Sequence, residues 1–187
     1  MAGFNTKTFK KHDDYFTPLS AWDNIKQYLP KDKVIWEAFY GDGTSAKHLR
    51  SLGCKVFSED IDFFESNPKQ AELIVSNPPF SLLRPDNKRQ KYKEGVLKRL
   101  VKINKPFIII MPSSRLNSQY FRKLFWDKKI QIIIPRKRIQ FIKKKFEDGV
   151  YKDAKSKNAC NFDCFYYCYK MNLPKDIIWL VNKNEAK

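Results

Sequence analysis

No apolar run in this chain approaches the roughly 20 residues that a membrane span requires. The first twelve residues are polar and basic and lack the apolar segment of a secretory signal. A soluble, intracellular protein is the expectation. Cysteine is sparse and badly spaced for metal: Cys54, Cys160, Cys164 and Cys168 include no CxxC pair, whereas zinc knuckles pair such cysteines with further cysteines or histidines. No metal site is expected, and the cysteines read as reduced core residues. If the last three lie on a strand, their even spacing puts them on one face, with Phe165, Tyr167 and Tyr169 on the other. Internal repeats and low-complexity tracts are also lacking.

Acidic residues are short as well, 20 against 37 basic ones, for a net charge of +17. The deficit is local. Residues 84–157 hold 23 basic and six acidic side chains, the whole of the excess, while residues 34–83 hold four and seven. A segregated basic block points to a polyanion, nucleic acid first, because Lys and Arg on phosphates release condensed counterions. With 187 residues the chain is read as one domain, large enough to bury a core.

What is present centres on Ser76-Asn77-Pro78-Pro79-Phe80, which ends the apolar run Leu73-Ile74-Val75. Each proline fixes its own φ and extends the residue before it, so Asn77 and Pro78 are held with little freedom. The Asn77 side-chain oxygen and the Pro78 carbonyl are two acceptors beside the Phe80 ring. They suit a planar group bearing an NH₂, whose N–H bonds they accept while the ring stacks on its face.

In chain order, residues 1–12 read as a mobile basic arm. Ala21, Trp22, Ile25 and Leu29 recur at helical spacing, with Ser20 as the candidate cap. Residues 34–39 read as a buried strand running into Tyr40-Gly41-Asp42-Gly43-Thr44 and then a short helix over 45–52. Strand, Gly-x-Gly turn and helix form the first half of a nucleotide-binding unit. A second strand, 54–57, ends in Ser58-Glu59-Asp60, where such folds hold a ribose through an acid: Asp60, with Glu59 as the alternative. Asp62 with Phe63 and Phe64 suits an adenine's amino group and ring. Only sixteen residues separate Asp60 from Asn77, so the third strand of such a sheet is expected to be rudimentary or missing.

Residues 84–95 and 142–161 are read as substrate-facing loops. A helix over 95–104, a strand over 107–111 and a helix around Tyr120, Phe121, Leu124 and Phe125 follow the first of them. Strands at 130–135 and 162–171 and a packed element at 177–181 complete the chain. Basic residues interleaved with aromatics suit a backbone contact with stacking on bases. The nucleic-acid candidates are Arg84, Lys88, Arg89, Arg136, Lys137, Arg138, Lys143, Lys144 and Lys145.

The order Tyr15-Phe16-Thr17-Pro18, then Glu37-Ala38-Phe39-Tyr40-Gly41-Asp42-Gly43, then Asp60, then Asn77-Pro78-Pro79-Phe80 resembles the class I S-adenosylmethionine-dependent methyltransferases that modify exocyclic amines. Over about residues 13–171 the chain is most similar to small phage- and virus-type DNA adenine-N6 methyltransferases. The resemblance implies an α/β, Rossmann-like fold: a mostly parallel sheet with helices on both faces and a C-terminal antiparallel hairpin made by 130–135 and 162–171. It implies S-adenosyl-L-methionine as cofactor, DNA ahead of RNA as partner, and a host cell's cytoplasm or nucleus as the setting of a viral member. It places Glu37, Tyr40, Gly41 and Gly43 around the cofactor's methionine part, with Tyr15 and Thr17 near that end. Asp60 would hold the ribose, Asp62 with Phe63 the adenine, and Asn77, Pro78, Pro79 and Phe80 would line the catalytic pocket, with Asn77 also beside the cofactor. The glycine turn has fewer glycines than many members. There is no room for a separate target-recognition domain, which leaves specificity to a second copy or a partner subunit. Competing readings are the same chemistry on RNA, methylation of protein glutamine, and a silent nucleic-acid-binding subunit.

Overall fold

The computed structural model describes residues 15–79, 92–147, 150–153 and 162–181. The arm 1–12, Phe80, Arg84, Lys88, Arg89 and Cys160 lie outside the described residues, as does the side chain of Lys145. The elements are β1 (Tyr15–Phe16), α1 (Leu19–Asp23), β2 (Val34–Trp36), α2 (Thr44–Ser51), β3 (Lys55–Phe57), β4 (Leu73–Ser76), α3 (Tyr92–Ile103), β5 (Phe107–Pro112), α4 (Gln119–Phe125), β6 (Ile130–Ile134), β7 (Ile142–Glu147), β8 (Val150–Asp153), β9 (Cys164–Tyr169) and β10 (Ile177–Trp179).

Seven strands form one sheet in the order β10-β6-β9-β5-β4-β2-β3. Neighbours run parallel except at β9, which is antiparallel to both β5 and β6. The unbroken apolar runs of β4 and β5 follow from burial on both faces. Leu73, Val75, Ile108, Ile110, Cys164 and Tyr166 face Trp22 of α1 and Leu49 of α2. Ile74, Phe107, Ile109, Met111, Tyr167 and Tyr169 face Leu97 of α3 and Phe121 of α4. Cys164 and Cys168 thus share one face and Phe165, Tyr167 and Tyr169 the other, as their spacing requires. The Tyr166 hydroxyl donates to the Ala21 carbonyl at 2.6 Å and ties α1 to β9.

The expected hairpin partners, 130–135 and 162–171, do pair antiparallel as β6 and β9. Residues 58–72, all described, form turns but no strand, so β3 is the edge and the third strand is missing. At the other edge β10 runs parallel to β6. Gln131, buried on β6, holds the approach to it: its Nε2 donates to the Leu173 and Lys175 carbonyls, and its Oε1 accepts from the Leu173 N–H.

Three expectations are corrected. The first helix begins at Leu19 with Pro18, not Ser20, in the cap position. The segment 84–95 is partly helix, because α3 begins at Tyr92. The segment 142–161 is not simply a loop: β7 and β8 pair antiparallel, and β7 also pairs with β1, giving a second, three-stranded sheet. Its pattern was hidden because an inward position on β7 is a lysine, Lys144. Among the described residues no helix is long and apolar enough to cross a membrane.

Candidate active site

Parallel strands deliver their carboxyl ends to one edge, where open α/β sheets bind ligands. Trp36 lies opposite Ile74 and Ser76 opposite Ile109, so Glu37, Asn77 and the chain after β5 emerge together. Glu37 is only 1 % exposed. Its carboxyl accepts from Ser76 Oγ at 2.5 Å and from Ser58 Oγ at 3.4 Å, and its own N–H donates to the Phe57 carbonyl at 3.0 Å. One acid therefore joins the ends of β2, β3 and β4. Burial pushes it up to about 8, against the pull of hydrogen bonds from Ser76, the Phe39 N–H and Ser58 and of the Arg50 charge. At neutral pH Glu37 keeps its proton.

The glycine turn follows. Gly41 and Gly43 have φ of 58° and 77°, in the left-handed region. A Cβ at Gly41 would stand 3.2 Å from the Phe16 ring, and one at Gly43 3.0 Å from the Tyr40 hydroxyl, so close approach as well as backbone conformation favours glycine. Between them, Asp42 accepts from the Thr44 N–H at 2.9 Å and from Lys144 Nζ at 2.6 Å. The Lys144 ammonium also lies 5.1 Å from the centre of the Phe16 ring. The small sheet is thereby latched onto the glycine turn. Partial burial opposes charge on Asp42, but the Lys144 and Thr44 bonds hold its carboxyl below the ordinary range. Thr17 is buried, with its carbonyl 3.2 Å from His48 Nδ1 of α2. Tyr15 packs edge-on against Phe141 and Phe162.

Past β3, Glu59 and Asp60 are both exposed. The Asp62 carboxylate accepts from the Phe64 N–H at 2.7 Å. Phe63 is buried, with ring centres 4.7 Å from Phe39, 5.7 Å from Trp36 and 5.3 Å from Phe64. Its ring belongs to the core, and the half-buried Phe64 is the neighbouring ring nearer solvent.

Asn77 is half-buried where β4 ends, and Pro78 behind it is buried. The Asn77 carboxamide oxygen is shielded from solvent and has no hydrogen-bond donor among the described residues. A buried acceptor left in this state costs about 1–3 kcal/mol, and native proteins rarely keep one without a use. Two further polar atoms share this condition near the end of β5, Arg115 Nε and the Tyr120 hydroxyl. The sequence reading missed both. The available signal was Ser113-Ser114-Arg115 directly after a buried strand, the position that mirrors Asn77-Pro78-Pro79 after β4.

The basic candidates divide. Arg136, Lys137 and Arg138 are exposed, and Arg138 Nε donates to Asp163 at 2.9 Å. Lys143 is half-buried. Lys144, placed on a phosphate by the sequence reading, is turned onto Asp42.

The fold, with its β3-β2-β4-β5-β9-β6 succession and reversed β9, is that of the class I S-adenosylmethionine-dependent methyltransferases. Among solved structures the chain is similar to a protein assigned as a class I S-adenosylmethionine-dependent methyltransferase from Listeria monocytogenes, at 14 % identity and TM-score 0.51, over 93 % of this chain and 68 % of that one. It is similar to a protein assigned as an RNA methyltransferase from Pyrococcus horikoshii, at 15 % identity and TM-score 0.51, over 91 % of this chain and 92 % of that one. No model of a known family matches the chain, and no curated protein matches it by sequence.

Proposed function

We propose that this chain is an S-adenosyl-L-methionine-dependent methyltransferase acting on the exocyclic N6 amine of adenine in nucleic acid, DNA ahead of RNA. The observation that carries the reading is the Asn77 oxygen, a buried acceptor without a donor among the described residues, at a proline-locked strand end next to the Ser76–Glu37 bond and on the same sheet edge as the glycine turn. The residues present fit the cofactor. Glu37 and the turn at Gly41 and Gly43 would take its methionine end, and the exposed Asp60 its ribose hydroxyls, as that acid does in nucleotide-binding folds. When bound, S-adenosylmethionine supplies an electrophilic methyl group on a sulfonium.

Asn77 and Pro78 would do the rest. An adenine N6 lone pair is delocalised into the ring and attacks poorly. The Asn77 oxygen and the Pro78 carbonyl, accepting its two N–H bonds, draw the nitrogen towards a pyramidal shape and free that pair. They also stabilise the positive charge that grows on nitrogen during transfer, which favours the transition state over the ground state. No strong base is required, because the methylated ammonium is acidic enough to lose its proton to water. A base in a duplex must leave the stack to reach Asn77, and exposed Arg136 and Lys137 would hold flanking phosphates.

The test is incubation of the protein with a labelled methyl donor and pools of DNA, RNA and protein, followed by identification of the modified unit by mass. N6-methyladenine from DNA is expected. The same product from RNA alone would move the substrate while keeping the chemistry, and label in protein glutamine or in none of the pools would overturn the reading.

A further inference from the structure

We infer that Arg115 and Tyr120 form an anion seat beside Asn77 that takes a backbone phosphate next to the target base. This inference rests on the nucleic-acid reading above and adds a binding site to it. β5 runs parallel to β4 on the side away from β2, so the turn Ser113–Arg115 that follows it leaves at the same edge as Asn77. It lies on the opposite side from the glycine turn, where the cofactor's own carboxylate belongs.

Two atoms at and just after this turn, Arg115 Nε and the Tyr120 hydroxyl, are also buried and unpartnered among the described residues. The backbone around them is nonetheless fixed from several directions. The Tyr167 hydroxyl donates to the Pro112 carbonyl at 2.9 Å and reaches the Ser113 carbonyl at 3.4 Å. The Arg115 carbonyl accepts from both the Ser118 hydroxyl, at 2.7 Å, and the Ser118 N–H, at 3.0 Å. Both side chains lie close enough to Tyr167 to act on its phenol, which burial holds protonated, Tyr120 reinforcing that effect and Arg115 opposing it. A guanidinium N–H and a phenol O–H thus both lie near Tyr167 on a rigid support, without a hydrogen-bond partner among the described residues.

A buried guanidinium N–H such as Arg115 Nε calls for a ligand with negative charge and several acceptor oxygens. A phosphate offers both and is the natural partner of arginine. Since Asn77 faces the base, the phosphate in reach is one flanking the target nucleotide.

The experiment uses the full chain, a labelled methyl donor and adenine-containing oligonucleotides in which single phosphates flanking the target are charged or replaced by neutral methylphosphonates. Arg115→Gln should raise the oligonucleotide KM about tenfold, the scale of a charge-assisted hydrogen bond, with kcat nearly unchanged and cofactor affinity retained. It should also reduce the salt slope of binding by about one. Tyr120→Phe should raise KM by a smaller factor while melting with the wild type, since its hydroxyl has no partner among the described residues to lose. Arg115→Gln should handle charged and neutral substrates alike, whereas the wild type and, less strongly, Tyr120→Phe prefer the charged one. A folded Arg115→Gln variant with wild-type KM and salt slope would overturn the seat, as would a wild type indifferent to the methylphosphonate. If the wild type methylates no oligonucleotide, the functional reading fails first. The seat is then judged by oligonucleotide binding alone, where equal affinity of wild type and Arg115→Gln overturns it and weaker binding by the variant supports it.

Discussion

The carboxyl edge of the sheet has two unlike halves. Around β2 and β3 the polar side chains are bonded to one another: Glu37 to Ser76 and Ser58, Asp42 to Lys144 and the Thr44 N–H. Around the ends of β4 and β5, Asn77, Arg115 and Tyr120 each keep a buried polar atom without a partner among the described residues. Trp36 Nε1, a buried donor on β2, is the exception on the first half, and its ring is packed against Phe63. The contrast separates a half whose buried polar groups are satisfied by folding, on the side proposed for the cofactor, from a half whose bonds are left for the substrate to complete. Removing a polar group should therefore cost stability on the first half and function on the second.

Among substitutions that break a contact, the largest stability effect should come from Lys144→Met. It strands a shielded Asp42 carboxylate and releases the small sheet from the glycine turn, and a loss of about 2 kcal/mol is expected in urea unfolding, together with weaker cofactor binding. Adding Asp42→Asn should recover part of the loss, as coupled neighbours do. An unchanged midpoint for Lys144→Met would mean that the latch is superficial and would remove one side of the contrast.

Glu37→Gln sharpens it through pH. The native carboxyl titrates at about 8 and the ordinary value is 4.5. Below pH 4.5 both states hold the proton and nothing is lost. Between these values the unfolded chain releases the proton while the native chain keeps it. Stability should then fall by about 1.4 kcal/mol per pH unit on account of this one group, and level off above pH 8. The glutamine variant, already neutral, should lack that slope. Urea midpoints from pH 5 to 8 would show it, and parallel profiles for the two proteins would mean that Glu37 is ionised in the fold.

The smallest stability effect belongs to Asn77→Ala. It deletes an acceptor that has no donor among the described residues, and the relief of its burial cost is offset by lost packing, so the unfolding free energy should shift by less than about 1 kcal/mol. A much larger drop would place Asn77 with the structural half.

Much of this was legible before any coordinates, for identifiable reasons. Strands buried on both faces are continuous apolar runs, so β4 and β5 stood out. The sixteen residues between Asp60 and Asn77 are too few for a further crossover, and no third strand forms. The face assignments of Cys164, Cys168, Tyr167 and Tyr169 follow from the pleat alone. The small sheet was not legible, because it is built at Lys144 on an ion pair and a ring contact with residues about 100 positions away, and a basic run reads as solvated surface. Phe63 next to an acid suggested an adenine platform, yet its neighbours are core rings, which no local pattern reveals. Arg115 and Tyr120 carry no motif beyond the place of Arg115 just after a buried strand. Their significance lies in what they fail to bond, and that is visible only once the surroundings are packed.

The most direct test of the central claim is single-turnover methyl transfer by Asn77→Ala, with wild-type protein as reference, on the adenine-containing polynucleotide that the wild type modifies, while cofactor binding is followed in parallel. The account predicts that transfer is abolished and cofactor affinity is kept, because the Asn77 oxygen, without a donor among the described residues, acts on the substrate amine. Transfer at the wild-type rate by a variant that still binds cofactor would contradict it.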